Sequence, residues 1–103
     1  MIKQIAPEEL HEGLRSGKQL SVIDVREDEE VAKGMIAGAK HIPLGDIENH
    51  LDEIDKTIEH IMVCRSGGRS TKACQILMGK GYKIQNLVGG MIAWEAKYGK
   101  SFS

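Results

Sequence analysis

Apolar residues fall into short continuous runs along the chain, and segments with helical spacing lie between these runs. The run LSVIDV at residues 20–25 is apolar almost without alternation, which is typical of a strand covered on both faces. Strand-like segments occupy residues 2–5, 20–25, 41–44, 60–64 and 82–88, and helix-like segments occupy residues 7–17, 27–34, 46–55, 69–81 and 91–99. This alternation predicts an α/β fold with a mostly parallel sheet.

Several helix-like segments begin and end with residues that helices prefer at those positions. Pro7 and the two glutamates after it suit a helix N-terminus, and Gly17 suits a helix end. Asp46 is the predicted N-cap of the segment at residues 46–55. The apolar residues of the last helix are expected to lie in the core; they are Met91, Ile92 and Trp94.

Length and charge narrow the class of protein. The chain has 103 residues, which predicts one small domain over residues 1–103. Its formal net charge is −1, so no overall attraction to nucleic acid or to an anionic membrane is expected. No apolar run approaches the roughly 18 residues of a membrane helix, and the N-terminus lacks the apolar stretch of a signal peptide. We therefore expect a cytoplasmic protein, and a monomer because no apolar surface stripe stands out.

The cysteine and histidine content argues against a metal site. Two cysteines are too few for a disulfide scaffold. The spacing of Cys64 and Cys74 fits no usual zinc pattern, and the four histidines are scattered along the chain. We expect neither a metal nor another cofactor.

Polar residues follow the strand-like runs at three places. These places read Asp24-Val25-Arg26, Cys64-Arg65-Ser66 and Gly89-Gly90. In open α/β sheets, ligands bind beyond the carboxyl ends of the strands. Cys64 therefore stands where a functional site is expected.

The segment CRSGGRS gives Cys64 surroundings that favour a reactive thiol. Gly67 and Gly68 can adopt backbone angles closed to other residues, so a short loop there can turn successive N–H groups inward at the start of a helix. Arg65 and Arg69 add positive charge. Such a loop stabilises an anion, which could be a bound oxyanion, the thiolate or a persulfide. The pKa of Cys64 is therefore expected to lie below the free-thiol value of about 8.5.

Three other polar residues have both a structural and a functional interpretation. Asp24 and Arg26 could form a local ion pair at a strand end. Alternatively, their side chains could support and orient the loop at residues 64–70. Cys74 lies among apolar residues of a helix and is interpreted as a small core residue. A thiol that forms a disulfide with Cys64, in a redox role, is the alternative for Cys74.

Four motifs together resemble single-domain rhodanese-type sulfurtransferases over nearly the whole chain. The motifs are IDVRE at 23–27, GMIAGAKHIP at 34–43, CRSGGRS at 64–70 and NLVGGMIAW at 86–94. Each is weak alone, but four in the family's order are highly specific. The chain departs from the family pattern at Met35, where histidine is common, and at His41, where asparagine is common.

The resemblance implies a small five-stranded sheet flanked by helices on both faces. It also implies that the Cys64 thiolate takes a sulfur from a donor such as thiosulfate and passes it, as a persulfide, to cyanide or a thiol. A sulfur-carrier protein is a further expected partner. The loop residues expected to bind the sulfur or the donor are Arg65, Ser66, Gly67, Gly68 and Arg69, and those expected to support the loop are Asp24, Arg26 and Ser70. Among these, Arg65 is expected to face the donor, Arg69 to brace the loop and the Ser66 hydroxyl to reach the sulfur.

Two other functions remain open. A Cys-x5-Arg loop is typical of cysteine-dependent phosphatases and arsenate reductases. Arg69 here gives Cys-x4-Arg, which is a shorter loop, and Ser70 stands at the position of their arginine. A smaller loop suits one sulfur atom better than a tetrahedral oxyanion. A non-catalytic interaction domain of the rhodanese type is the other candidate, although such domains commonly lack the cysteine.

Overall fold

The computed structural model describes residues 2–99 and follows the predicted alternation of strands and helices. The strands are β1 (Lys3–Ile5), β2 (Ser21–Asp24), β3 (Lys40–His41), β4 (Glu59–Val63) and β5 (Lys83–Leu87). The α-helices are α1 (Pro7–Arg15), α2 (Asp28–Val31), α3 (Gly68–Gly79) and α4 (Gly90–Tyr98), and a 3₁₀ segment spans Leu44–Glu53. Within residues 2–99, no helix combines the length and the apolarity that a membrane crossing needs.

The strands form one sheet in the order β1-β5-β4-β2-β3, and every neighbouring pair is parallel. The predicted five-stranded parallel sheet is therefore confirmed. β4 is the middle strand, and its residue Met62 pairs with Ile23 of β2 and with Asn86 of β5. The carboxyl end of β4, where Cys64 follows, therefore lies in the centre of one sheet edge.

An apolar cluster covers each face of the sheet. On one face Met62 and Cys64 pack with Ala73 and Leu77 of α3. On the other face Ile61 and Val63 pack with residues of α1 and α4. Because successive side chains of a strand point to opposite faces, the alternation along β4 directs Cys64 toward α3. The helices flank both faces, as expected.

The segment at residues 46–55 differs from its prediction. It is a 3₁₀ segment rather than an α-helix, and it begins two residues earlier, after Pro43. The amide of Asp46 donates to the Pro43 carbonyl, so Asp46 lies inside the first turn and is not its cap. His50 has non-helical backbone angles, which divides the segment. Proline fixes its own φ and thereby sets where this segment begins.

The prediction for the last helix was right for Met91 and Trp94, which are buried, and wrong for Ile92. The Ile92 side chain is 51% exposed. Because α4 begins at Gly90, its helical period turns Met91 and Trp94 toward the sheet and Ile92 toward solvent.

Helix α4 holds the backbone from which the Cys64 loop starts. The amide of Met91 donates to the Cys64 carbonyl at 2.8 Å, and the amide of Ile92 donates to the Arg65 carbonyl at 2.9 Å. Gly90 has a φ of +55°. A Cβ at this position would lie 2.5 Å from the Cys64 carbonyl oxygen and 2.6 Å from that of Arg65. Only glycine allows this close approach.

We expect Gly90→Ala to lower the free energy of unfolding by about 2–4 kcal/mol, because the added methyl group forces α4 away from the loop and strains a left-handed backbone. Urea unfolding of the purified variant measures the change. Gly79→Ala is the matched control, since a Cβ at Gly79 meets no atom within 4 Å. The control should stay within about 1 kcal/mol of the parent. An equal decrease in the free energy of unfolding of both variants would show that the contact between a Cβ at position 90 and the loop is not itself destabilising.

Candidate active site

The Cys64 sulfur lies beneath a tight loop that joins β4 to α3. The loop turns at Gly67, whose φ of +112° lies in the left-handed region. This turn directs the Gly67 amide to the Cys64 Sγ at 2.9 Å. The Ser70 hydroxyl, in the first turn of α3, lies 3.3 Å from the same sulfur. The sulfur is thus surrounded by hydrogen-bond donors at a helix N-terminus.

The thiol is more deeply buried than its predicted position at an edge suggests. Cys64 is 1% exposed, whereas its neighbours Arg65, Ser66 and Gly68 are exposed. The loop therefore covers the sulfur as well as binding it.

The surroundings lower the pKa of the Cys64 thiol below its ordinary value. Burial has the largest single effect and acts in the opposite direction, because it disfavours the charged thiolate. The Ser70 hydroxyl and the backbone amides of Ser70, Gly67 and Ser66 together outweigh burial. Hydrogen bonds thus stabilise the anion more than the arginine charges do. The thiolate is the nucleophilic form of cysteine.

Arg69 braces the start of α3 against α2. Its guanidinium donates two hydrogen bonds to the Glu30 carboxylate, at 2.6 and 2.7 Å. The bonds from Arg69 are the main reason why the pKa of Glu30 falls to about 2. A two-point contact of this kind fixes orientation as well as distance. It leaves the Arg69 guanidinium engaged with protein, consistent with the expected bracing role.

Arg65 and Ser66 point away from the sulfur. Arg65 is exposed and lines a cavity of about 240 Å³ that also touches Lys33 on one side and Glu95 on the other. The expected hydrogen bond from the Ser66 hydroxyl is wrong: the nearby hydroxyl belongs to Ser70, and Ser66 contributes its backbone amide. Ser66 precedes the left-handed turn at Gly67 and is exposed, whereas Ser70 lies in the first turn of α3 and its hydroxyl faces the sulfur.

Asp24 and Arg26 form the ion pair that the sequence predicts. Both are buried, and the Arg26 guanidinium donates to the Asp24 carboxylate at 2.8 Å. Arg26 also donates to the Gly34 carbonyl at 2.9 Å. Among residues 2–99, the hydrogen bonds of these two side chains go to each other, to the Arg26 amide and to the Gly34 carbonyl, and none goes to the 64–70 loop. The pair therefore fixes the neighbouring segment, and Arg26 shares with Arg65 the lining of one cavity.

Cys74 differs sharply from Cys64. It lies on α3 in the apolar core, fully buried and without a disulfide. Burial, followed by the nearby Cys64 charge, raises the pKa of the Cys74 thiol to about 12. This position favours the core interpretation of Cys74 over the redox one. Within the described part of the chain, no cluster of histidine, cysteine and carboxylate side chains could hold a metal ion.

Two residues near the loop escaped the sequence analysis. Glu30 is the partner of Arg69, but nothing in the sequence links positions 39 apart. Asn86 is buried in β5 and accepts a hydrogen bond from Ser70. A detectable signal existed for Asn86: it is a polar residue on the same strand face as the buried Ile84.

Iodoacetamide should label Cys64 at pH values where an ordinary thiol, with a pKa of about 8.5, is still protonated. The lowered pKa of Cys64 raises its thiolate fraction at low pH, whereas the raised pKa of Cys74 keeps that thiol protonated. The Cys64-to-Cys74 labelling ratio, read by peptide mass spectrometry, should therefore be large, and as the pH is lowered from 9 it should rise and then level off below the pKa of Cys64. Similar rates at the two cysteines would contradict activation by the loop.

Comparison with known proteins agrees with this geometry. Residues 6–97 match the family described as Rhodanese-like domain. "Putative sulfurtransferase YtwF" of Bacillus subtilis is 47% identical over 96 residues, which cover 93% of each chain. "Thiosulfate sulfurtransferase GlpE" of Pseudomonas putida is 31% identical over 97 residues, covering 93% of this chain and 87% of the relative.

A solved structure supports the same relationship. The crystal structure of a rhodanese-like domain protein from Staphylococcus aureus superposes with a TM-score of 0.87 at 39% identity, covering 90% of this chain and 91% of the other. Sequence and backbone thus agree over nearly the same residues. The chain belongs to the family of rhodanese-like domains.

Proposed function

We propose that this protein is a sulfurtransferase that carries a sulfane sulfur on Cys64 as a persulfide. The observation that carries the proposal is the Cys64 Sγ, which accepts a hydrogen bond from the Gly67 amide in a loop built to stabilise an anion. The relatives named as sulfurtransferases support sulfur transfer as the general activity.

The proposed reaction has two steps. The Cys64 thiolate attacks the outer sulfur of thiosulfate, a sulfur–sulfur bond forms, and the donor's own sulfur–sulfur bond breaks with its electron pair leaving on sulfite. A nucleophilic acceptor, cyanide or a thiolate, then attacks the outer sulfur of the persulfide. The Cys64 thiolate leaves with the electron pair and is regenerated. Because the attacking group in each step is the anion, which the loop stabilises at Cys64, neither step needs a general base.

The exposed positive charge beside the loop favours an anionic donor. Arg65 directly follows Cys64, and Arg65 and Lys33 line the adjoining cavity of about 240 Å³. A sulfonate group carries its charge on oxygens that a guanidinium binds well. Thiosulfate is the simplest donor of this type, and a relative named as a thiosulfate sulfurtransferase agrees with it.

The arrangement of Arg69 argues against the phosphatase alternative. A phosphatase loop needs a guanidinium free to bind the equatorial oxygens of the phosphoryl group. Arg69 is instead held by Glu30 at 2.6 and 2.7 Å. The next residue, Ser70, brings a neutral hydroxyl to the sulfur rather than a second positive charge. One sulfur atom suits this small, weakly charged site better than a tetrahedral oxyanion does.

Incubation with thiosulfate should raise the intact mass of the protein by one sulfur atom. Cyanide should remove the added mass, and Cys64→Ala should never acquire it. Cys74→Ala is the matched control and should load like the parent, because Cys74 is a buried core residue with a raised pKa. Absence of the adduct together with turnover of an aryl phosphate would replace this proposal with the phosphatase. Absence of both reactions would favour the non-catalytic interaction domain.

Arg65→Gln should lower kcat/KM for thiosulfate by about tenfold or more, since a charge-assisted contact with the donor is lost. The matched control is Lys18→Gln, which removes an exposed positive charge from the segment before β2. This segment lies at the amino ends of the strands, whereas Cys64 lies at the carboxyl ends. The control should retain parental kinetics. Equal losses in both variants would indicate only a general effect of protein charge, and an unchanged Arg65→Gln would exclude Arg65 from donor binding.

A further inference from the structure

The hydroxyl that contacts the Cys64 sulfur has more acceptors than protons. The Ser70 Oγ lies 3.3 Å from the Cys64 Sγ and 3.2 Å from the Gly67 carbonyl oxygen, and it is also within hydrogen-bond distance of Asn86 Oδ1. A serine hydroxyl donates one proton. The three contacts therefore compete for the same proton.

The Gly67 carbonyl does not need this proton. It already accepts hydrogen bonds from the Thr71 amide at 3.1 Å and from the Thr71 hydroxyl at 2.6 Å. A carbonyl oxygen has two lone pairs, and both are used. The competition is therefore between the Cys64 sulfur and the Asn86 side chain.

Thr71 also fixes which end of the Asn86 amide faces Ser70. Because the Thr71 proton goes to the Gly67 carbonyl, the Thr71 oxygen can only accept, and Asn86 Nδ2 lies 3.3 Å from it. The same Nδ2 group lies 3.3 Å from Gln4 Oε1. Asn86 Oδ1 must then face Ser70, and Asn86 is only 4% exposed. Within residues 2–99, Ser70 is the side chain that supplies a proton to this buried oxygen.

We propose that Asn86 is a positioning residue that holds the Ser70 hydroxyl proton while the Cys64 sulfur is a neutral thiol and yields it when the sulfur becomes an anion. The inference rests on the proposed function only in taking Cys64 as the reacting group. No proton is transferred between residues: the Ser70 O–H bond turns from Asn86 Oδ1 to Sγ.

The exchange sets how strongly the loop stabilises the sulfur anion. When the hydroxyl turns to the sulfur, Asn86 Oδ1 loses its donor inside the protein, and a buried acceptor without a donor is unfavourable. The gain at the sulfur is therefore partly offset. A more stable thiolate is also a weaker nucleophile. Asn86 thus limits how strongly the Ser70 hydroxyl stabilises the thiolate, so the sulfur can ionise and still react as a nucleophile. This balance suits a group that must both accept and release sulfur.

The test compares Asn86→Leu in two backgrounds, the parent and Ser70→Ala. Leucine keeps the approximate size of asparagine and removes the competing oxygen. The rate of Cys64 labelling by iodoacetamide is measured from pH 5 to 9. In the parent background, Asn86→Leu should raise the rate on the acid side of the profile by about three- to tenfold, the scale of the competing neutral hydrogen bond between Ser70 and Asn86 that the substitution removes. In the Ser70→Ala background, the same substitution should change the rate less than about twofold, because no hydroxyl remains to be released.

The charged groups of the loop, of the adjoining cavity and of their ion pairs are the same in all these variants, so they cannot cause the difference. They are Arg65, Arg69, Glu30, Asp24, Arg26, Lys33 and Glu95. An equal rise in both backgrounds would show that Asn86 only shapes the packing. No rise, or a fall, in the parent background would overturn the proposal.

A second variant keeps the test decisive if Asn86→Leu does not fold, as judged by circular dichroism and by rapid labelling of Cys74. Asn86→Ala removes the same competing oxygen with a side chain that fits the space of asparagine without a steric clash, and it leaves the bonds from Thr71 to the Gly67 carbonyl in place. The labelling rate of Cys64 should again rise on the acid side, and an unchanged or lower rate would contradict the inference.

Failure of the proposed function is detected separately by the intact mass after thiosulfate treatment. If the parent does not acquire sulfur, loading of Cys64 from thiosulfate is excluded, while the labelling comparison still decides the role of Asn86. If the parent acquires sulfur and the labelling rates do not depend on Ser70, the function stands and the inference fails.

Discussion

The hydrogen bond from the Gly67 amide to the Cys64 sulfur is the interaction on which the rest of the site depends. It exists because Gly67 adopts a left-handed backbone and because helix α4 holds the carbonyls of Cys64 and Arg65 from the other side. Gly90 permits that second contact, since no side chain would fit there. Two glycines, one in the loop before α3 and one at the start of α4, thus fix one sulfur atom at the carboxyl end of the middle strand.

The loop stabilises negative charge mainly with neutral donors. Backbone amides and the Ser70 hydroxyl offset the effect of burial on the thiol. The formal positive charges are used elsewhere: Arg69 pairs with Glu30 and anchors α3, and Arg65 is exposed at the adjoining cavity. This division suits a site that holds a small anion while an anionic donor approaches from outside. It is also the reason why we propose that a neutral neighbour, Asn86, adjusts the reactivity of the sulfur through Ser70.

Most of the fold could be predicted from the sequence because the central strands β2 and β4 are largely buried and therefore appear as continuous apolar runs. The position of Cys64 followed from the end of one such run. The 3₁₀ segment after Pro43 could not be predicted, because its spacing of Ile47, Leu51 and Ile54 also fits an α-helix. Contacts between residues distant in the sequence were also out of reach, which is why Glu30 was missed. Ser66 was chosen over Ser70 because the left-handed turn at Gly67 decides which serine faces the sulfur, and its direction cannot be inferred from the sequence.

The most direct test of the site is a crystal structure of the protein after treatment with thiosulfate. Electron density for one additional atom bonded to the Cys64 Sγ is expected, with the amides of the loop still directed at the two sulfurs and Arg69 still paired with Glu30. An unmodified Cys64, or a loop whose Gly67 amide points away from the sulfur, would contradict the proposed role of this loop.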